Sequence, residues 1–179
     1  DELPPEGRLE ELCEALGGVN PGRFGARTDD FASLQFEAGG VAVQVSYATV
    51  QAVERGLDAM LDRREDVIGS PRQKILVGLD EGLSLHGEEL VASWRGRVRA
   101  YPDELRRAAI EHHWSFFPLW YYADAMAERD AELWRLDMLL DAAFNLLGVL
   151  AALNRVYYAR FELKRLRKLE ARLRLAPPR

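Results

Sequence analysis

The sequence predicts an α+β fold that is mostly helical: a short β-hairpin near the start, followed by a helical bundle that fills the rest of the chain. Strict two-residue alternation of apolar with small or polar residues is confined to 33–37 and 41–47. From Val50 onward, apolar residues recur at three- and four-residue spacing. With 179 residues, 48% of them hydrophobic, the chain can bury a core of its own.

The elements follow in order. A first helix spans Arg8 to Leu16 with the stripe Leu9, Leu12, Cys13 and Leu16, and Gly17-Gly18 supplies residues that tolerate a left-handed ending. The strands Ser33-Leu34-Gln35-Phe36-Glu37 and Val41 to Tyr47 come next, joined by Ala38-Gly39-Gly40 as a hairpin connection. Ser33, Gln35 and Glu37 then share one face with Ala42, Gln44 and Ser46. A two-stranded hairpin is marginal alone, so these strands must extend a sheet or lie on helices, and missing strands are most simply placed upstream.

Helices follow through Val50, Val53, Leu57, Met60 and Leu61, then from Ser70-Pro71 with Ile75, Leu76 and Leu79. Leu90, Val91, Trp94 and Val98 mark the next, and Pro102-Asp103-Glu104 opens another that Pro118 ends or kinks. Ala131 to Leu153 reads as a long helix. Its second half, Ala142 to Leu153, is apolar all round except Asn145 and is expected to be the buried centre of the bundle. A basic amphipathic helix with Phe161, Leu163, Leu166, Leu169 and Leu173 ends the chain before Pro177-Pro178.

Composition excludes several classes. The longest nearly apolar run, Met138 to Leu153, is interrupted by Asp141 and Asn145 and stays short of the roughly 18 residues that a membrane span needs. No membrane span is therefore predicted. The start, Asp1-Glu2-Leu3-Pro4-Pro5, has neither an initiator Met nor the basic-then-apolar order of a signal peptide, so the chain is expected to begin inside a larger gene product or to have had its front cut away. A single cysteine, Cys13, forms no internal disulfide and is expected to be a buried thiol, in keeping with a cytoplasmic setting. Net charge is −5, unevenly spread: residues 155–179 carry nine basic and two acidic groups. Such a tail either meets phosphates, nucleic acid included, or complements the acidic remainder of its own chain.

The order helix, hairpin and helical bundle, with Val43-Gln44-Val45-Ser46-Tyr47, Arg99-Ala100-Tyr101-Pro102, Ala123-Asp124 through Arg129-Asp130, and Ala152-Leu153-Asn154-Arg155-Val156-Tyr157-Tyr158, resembles the distal part of bacterial members of the DNA-polymerase-beta-like nucleotidyltransferase superfamily. The resemblance implies the edge hairpin of a nucleotidyltransferase-type sheet in a core unit over 1–65 and a helical substrate-binding bundle over 66–179. It implies transfer of NMP from an NTP to a hydroxyl acceptor, with Mg²⁺ held by a Gly-Ser turn and an Asp-x-Asp pair upstream of residue 1. The alternative is a non-catalytic helical interaction or nucleic-acid-binding module.

In that superfamily a third carboxylate sits on a later strand, and its place here falls at Gln44, a neutral amide; Glu37 on the adjacent strand can supply the charge. These two are the candidate catalytic residues. Ile68-Gly69-Ser70 followed by Asp80 imitates the metal motif, but residue 82 is Gly and Pro71 opens a helix, so it reads as a cap. No metal ligand is assigned within the chain. His112, His113, Tyr121 and Tyr122 are the candidate substrate-binding residues. Adjacent histidines on a helix point about 100° apart and do not ligate one metal together. One can serve as a general base or phosphate contact, or can be a polar core residue among packed aromatics. Lys164 and Arg165 on the tail are the candidate phosphate contacts.

Overall fold

The computed structural model describes residues 2–5, 7–23, 25–62, 68, 73–118, 120–121 and 129–175, apart from the side chains at 161 and 162. The Gly69-Ser70-Pro71 cap, Tyr122, Ala123-Asp124 and Pro177-Pro178 lie outside the described residues. The fold is α+β and mostly helical, and it divides into two compact units, Asp1–Asp58 and Ala59–Arg179.

The first unit is a three-stranded antiparallel sheet with one helix on it. Helix α1, Arg8–Ala15, buries Leu9 and Cys13 against Ala32, Leu34 and Phe36. Gly17 takes a left-handed φ of 63°, and the Gly18 N–H then bonds the Cys13 carbonyl at 2.7 Å. A Cβ at Gly18 would collide with the Cys13 Sγ and the Phe36 ring, so the helix joins the sheet through a residue that must be glycine.

Strand β1, Val19–Arg23, is an element that alternation did not reveal. Its Asn20-Pro21-Gly22 reads as a turn, yet β1 lies at the sheet edge, where a proline without an N–H is tolerated. It pairs with β2, Phe31–Ala38, through a register break between Val19 and Gly22. β2 in turn pairs with β3, Val41–Ala48, placing Phe36 opposite Val43 and Gln35 opposite Gln44. Gly39 and Gly40 both have positive φ, 57° and 75°, as the tight turn between two right-twisted strands requires. Thr49 caps α2, Val50–Leu57: its hydroxyl accepts from the Ala52 N–H at 3.1 Å and donates to Asp30 at 2.9 Å. The helix runs on into a π-helical turn, Asp58–Asp62.

The second unit contains α3, Gln73–Glu81; α4, Glu88–Ala100; α5, Asp103–His113; α6, Glu132–Leu153; and α7, Leu166–Glu170. α5 packs on α6, whose Asn145 and Gly148 face His113. A Cβ at Gly148 would overlap the His113 ring, so the glycine sets the closeness of these two helices.

Three expectations are corrected here. α5 does not run to Pro118: it stops at His113, because the Ser115 carbonyl leaves the helical path to accept from the Asn145 side-chain amide at 3.1 Å. The second half of α6 is not buried all round; Ala142, Phe144, Asn145, Gly148, Val149, Ala151 and Ala152 are buried, while Leu146 and Leu153 stay exposed at 41% and 40%. Apolarity around a helix does not say which side receives a neighbour. The basic tail is not one continuous helix but a 3₁₀ segment, Arg160–Arg165, followed by the five-residue α7. Like charges at i, i+3 and i, i+4 along Arg160, Lys164, Arg165, Arg167 and Lys168 weaken a long helix there.

By length and composition α6, with 22 residues and a mean hydropathy of 1.8 over its most apolar stretch, is also sufficient to cross a membrane. Extension of the helix back to Glu132 makes it longer than the run starting at Met138. A core helix meets the same criterion, and its inner side packs within the second unit in that way.

Candidate functional site

The sheet offers one packed and one open face. Leu34 and Phe36 bury against α1, with Val43 and Val45 half-buried beside them, so Gln35, Glu37, Ala42, Gln44 and Ser46 are turned to solvent, whereas Ser33, expected on the same open face, is buried at 6% exposure. Register sets the arrangement: Gln35 lies opposite Gln44, Glu37 opposite Ala42, and Gly22 of β1 opposite Gln35. Asn20, Gly22, Gln35, Glu37, Ala42 and Gln44 line a concavity of about 490 Å³. Glycine at 22 contributes to the hollow, since nothing stands where its Cβ would be. Asn20, in left-handed conformation with a φ of 55°, is a lining residue that strand alternation had no means of finding.

Glu37 and Gln44 are thus brought to one face, with Gln35 between them in the lining. The chemistry available is a solvated carboxylate that accepts hydrogen bonds and amides that both donate and accept. A Mg²⁺ ion, which the resemblance implies, needs near-octahedral oxygen ligation and favours carboxylates. Among the described residues, Glu37 is the one carboxylate in the lining, and no group of three or more His, Cys, Asp or Glu is placed to hold a metal. These residues do not by themselves fit the ion.

The histidine and tyrosine candidates separate. His113 is buried at 2% exposure, while His112 beside it is exposed. The His113 Nδ1 pairs with the Asn145 Oδ1 at 3.1 Å, and its ring meets Phe144 and Tyr158 edge to face. Burial holds its pKa below the ordinary 6.5, against the opposing hydrogen bond that it makes to the Asn145 Oδ1. It is a polar core residue. Tyr121 belongs to another cluster, stacked on Phe117 at 5.1 Å and packed with Met138 and Ala142.

The tail places Lys164 and Arg165 on the surface, but its charge is turned inward. Lys168 reaches Glu81 at 2.5 Å, Arg172 bonds both Glu81 and Asp80 at 2.7 Å, and Arg165 lies 3.9 Å from Glu81. Asp80 also accepts from Arg99 at 2.9 Å. Asp80 is therefore an ion-pair residue of the helical unit. The acidic pair on α3 takes up charge that a phosphate contact would need.

The stretches around Tyr101 and Arg155 form a clasp. Both residues have positive φ, 37° and 55°, a conformation that costs a non-glycine residue about 1–3 kcal/mol. Compensation is visible: Arg155 donates to the Tyr101 carbonyl at 2.8 Å and to Asp103 at 2.5 Å, and Tyr101 lies on Tyr157 at 4.7 Å. The Tyr157 hydroxyl donates to the Val98 carbonyl at 2.7 Å, and the Tyr158 N–H bonds the buried Gln73 side chain. Burial pushes the Tyr101 hydroxyl up to about 12 and raises the Tyr157 hydroxyl as well, while the Arg155 hydrogen bond draws the Asp103 carboxyl down. Neither tyrosine is reachable by a substrate, and the clasp is structural. Asn154 completes it from the end of α6, its amide bonding the Leu150 and Leu175 carbonyls.

Neither curated proteins nor solved structures give a match to the chain. Residues 69–162, more than half of its length and including α3 to α6 with the clasp, match a protein family, and the chain belongs to that family, described as Domain of unknown function (DUF4037).

Proposed function

We propose that this chain supplies the nucleotide-bordering sheet edge and the acceptor-binding helical unit of a nucleotidyltransferase, an enzyme that moves NMP from an NTP to a hydroxyl. The observation that carries the reading is the concavity on the open sheet face, where Glu37, Gln35 and Gln44 converge on a rigid support packed from behind by α1. Amide groups at Gln35 and Gln44 suit the hydrogen-bonding edges of a base or the oxygens of a phosphate, and the Glu37 carboxylate suits hydroxyl donors. The resemblance of Val43 to Tyr47 and of Ala152 to Tyr158 to the distal part of nucleotidyltransferases is the second support.

In such a transfer the acceptor oxygen bonds the α-phosphorus, the bond to the bridging oxygen breaks, and pyrophosphate leaves. Because the described residues do not fit Mg²⁺, no step is assigned to a metal held by this chain. Any metal-binding carboxylates of such an enzyme lie outside the described residues. A second reading, a non-catalytic interaction module, is favoured by the apolar surface of α6, where Leu133, Leu136 and Leu140 are exposed at 84%, 55% and 53%.

The test uses the complete gene product with labelled NTPs, Mg²⁺ and pools of small hydroxylated compounds, RNA and protein. Label should move to one acceptor class, and Glu37→Gln should lower the rate by about 10²-fold or more, the scale for loss of a group acting in the reaction. Absence of transfer to every pool is the outcome of the interaction-module reading.

A further inference from the structure

α6 carries two apolar seams, and its own chain fills one of them. Met138, Ala142, Asn145, Val149 and Ala152, at alternating four- and three-residue spacing, are buried; Met138 and Ala142 lie on Phe116 and Tyr121, and Asn145 meets His113. A second stripe runs along the other side: Leu136, Leu139, Ala143, Leu146, Leu150 and Leu153, at spacings of three, four, three, four and three. Leu136, Leu139, Leu146 and Leu153 are between 40% and 55% exposed, Ala143 is exposed and Leu150 is half-buried. A repeat averaging about 3.5 residues keeps a seam turned toward a neighbouring helix, so the stripe has the period of a helix-on-helix contact.

The pattern is self-complementary, which selects a second copy of the chain as the occupant. Its spacing reads the same in both directions, so a two-fold axis between Ala143 and Leu146 maps the stripe onto itself with the helices antiparallel. Leu136 then lies opposite Leu153 of the second copy, Leu139 opposite Leu150, and the small Ala143 opposite Leu146. That register has an independent mark on the surface. Glu132, Arg135, Leu136 and Leu139, spaced i, i+3, i+4 and i+7, border with Leu133 a hollow of about 220 Å³ at the start of α6. Four residues so spaced form the hole that takes a knob from a facing helix, and the side chain that the two-fold axis brings there is Leu153. With Leu133 and Leu140 beside it, exposed at 84% and 53%, the stripe leaves about 600 Å² open per copy; pairing would bury roughly 1,200 Å², the lower end for stable specific interfaces. No charged residue stands on the stripe between Leu136 and Leu153, and the antiparallel sense sets the helix dipoles against each other favourably.

We propose that the exposed stripe of α6 is a homodimer interface: two α6 helices pack antiparallel about an axis between Ala143 and Leu146, and Leu153 of each copy seats in the hollow at Glu132, Arg135, Leu136 and Leu139 of the other. The pairing gives a reason for a helix that is apolar all round, since one seam closes the chain's own helical unit and the other joins two such units. The interface uses none of the residues that line the concavity at Glu37, and it stands without the nucleotidyl-transfer reading.

The experiment is sedimentation equilibrium of the complete protein from about 1 to 100 μM, a range that spans the micromolar Kd of an interface at the small end of the scale. The protein should sediment as a reversible dimer. Leu146→Glu, which brings two carboxylates together at the axis, should raise Kd about 100-fold or more, because like charges juxtaposed in an interface cost several kcal/mol. Its far-UV circular dichroism should be unchanged, since position 146 lies on the exposed side of α6. Register is read separately by disulfide cross-linking, in which the buried Cys13 does not compete. A mixture of the Leu136→Cys and Leu153→Cys proteins should cross-link, and neither protein alone should. A dimer indifferent to Leu146→Glu, or cross-links in Leu136→Cys alone and none in the mixture, would overturn the proposal. So would a protein that stays monomeric throughout, and uptake of that monomer by phosphatidylcholine vesicles would then assign the stripe to a lipid surface. None of these readouts involves NTP, so their failure is distinct from failure of the transfer reading.

Discussion

His113 is the residue whose charge state the fold constrains most clearly. Its imidazole is buried between α5 and α6 with Asn145 as partner, and burial lowers its pKa from 6.5. The unfolded chain therefore takes up this proton at a higher pH than the folded protein does. Stability from this group is present above about pH 6.5 and is lost as pH falls from there toward the lowered folded value. A thermal-unfolding series from pH 7.5 to 5 should show that decline, and His113→Gln, which keeps a hydrogen-bonding group without the titration, should flatten it. Tyr157 allows a second test at this scale. Removing its hydroxyl with Tyr157→Phe takes one of two donors from the Val98 carbonyl, which keeps the Tyr101 N–H at 3.3 Å, and should cost about 0.5–1.5 kcal/mol in denaturant unfolding.

Between α5 and α6 the close approach rests on Gly148, where a Cβ has no room. Gly148→Ala should destabilise by about 1–3 kcal/mol through overpacking. Gly96, inside α4 with open space around it, is the matched control, and Gly96→Ala should stabilise by about 0.5–1 kcal/mol. At this scale the sequence was legible wherever one period dominated. The hairpin, the start of α5 at Pro102-Asp103-Glu104 and the long α6 all followed from local signals. β1 was not legible, because Asn20-Pro21-Gly22 forms a strand only as the edge partner of β2, a long-range condition. The end of α5 was missed for a similar reason: Asn145, thirty positions later, captures the Ser115 carbonyl. For the site, alternation placed Glu37 and Gln44 on one open face, but it could not supply Asn20 and Gly22 from the irregular β1.

For the molecule as a whole, the uneven charge resolves largely inside the helical unit. Asp80 and Glu81, at 17% and 18% side-chain exposure, receive Arg99, Arg172, Lys168 and Arg165. Arg172→Ala should cost about 2 kcal/mol, the scale of hydrogen bonds to charged groups, and raised salt should shrink that cost. Charge reversal at Lys164 and Arg165 should leave nucleotide binding nearly unchanged, because the nucleotide is assigned to the sheet. The most direct measurement of that assignment is hydrogen exchange on the complete protein with and without NTP and Mg²⁺. Protection should appear in peptides covering Val19–Arg23, Phe31–Ala38 and Val41–Ala48, and should disappear in a Glu37→Gln, Gln44→Ala variant. Protection confined to the helical unit or the basic tail, with the sheet unchanged, would contradict the account.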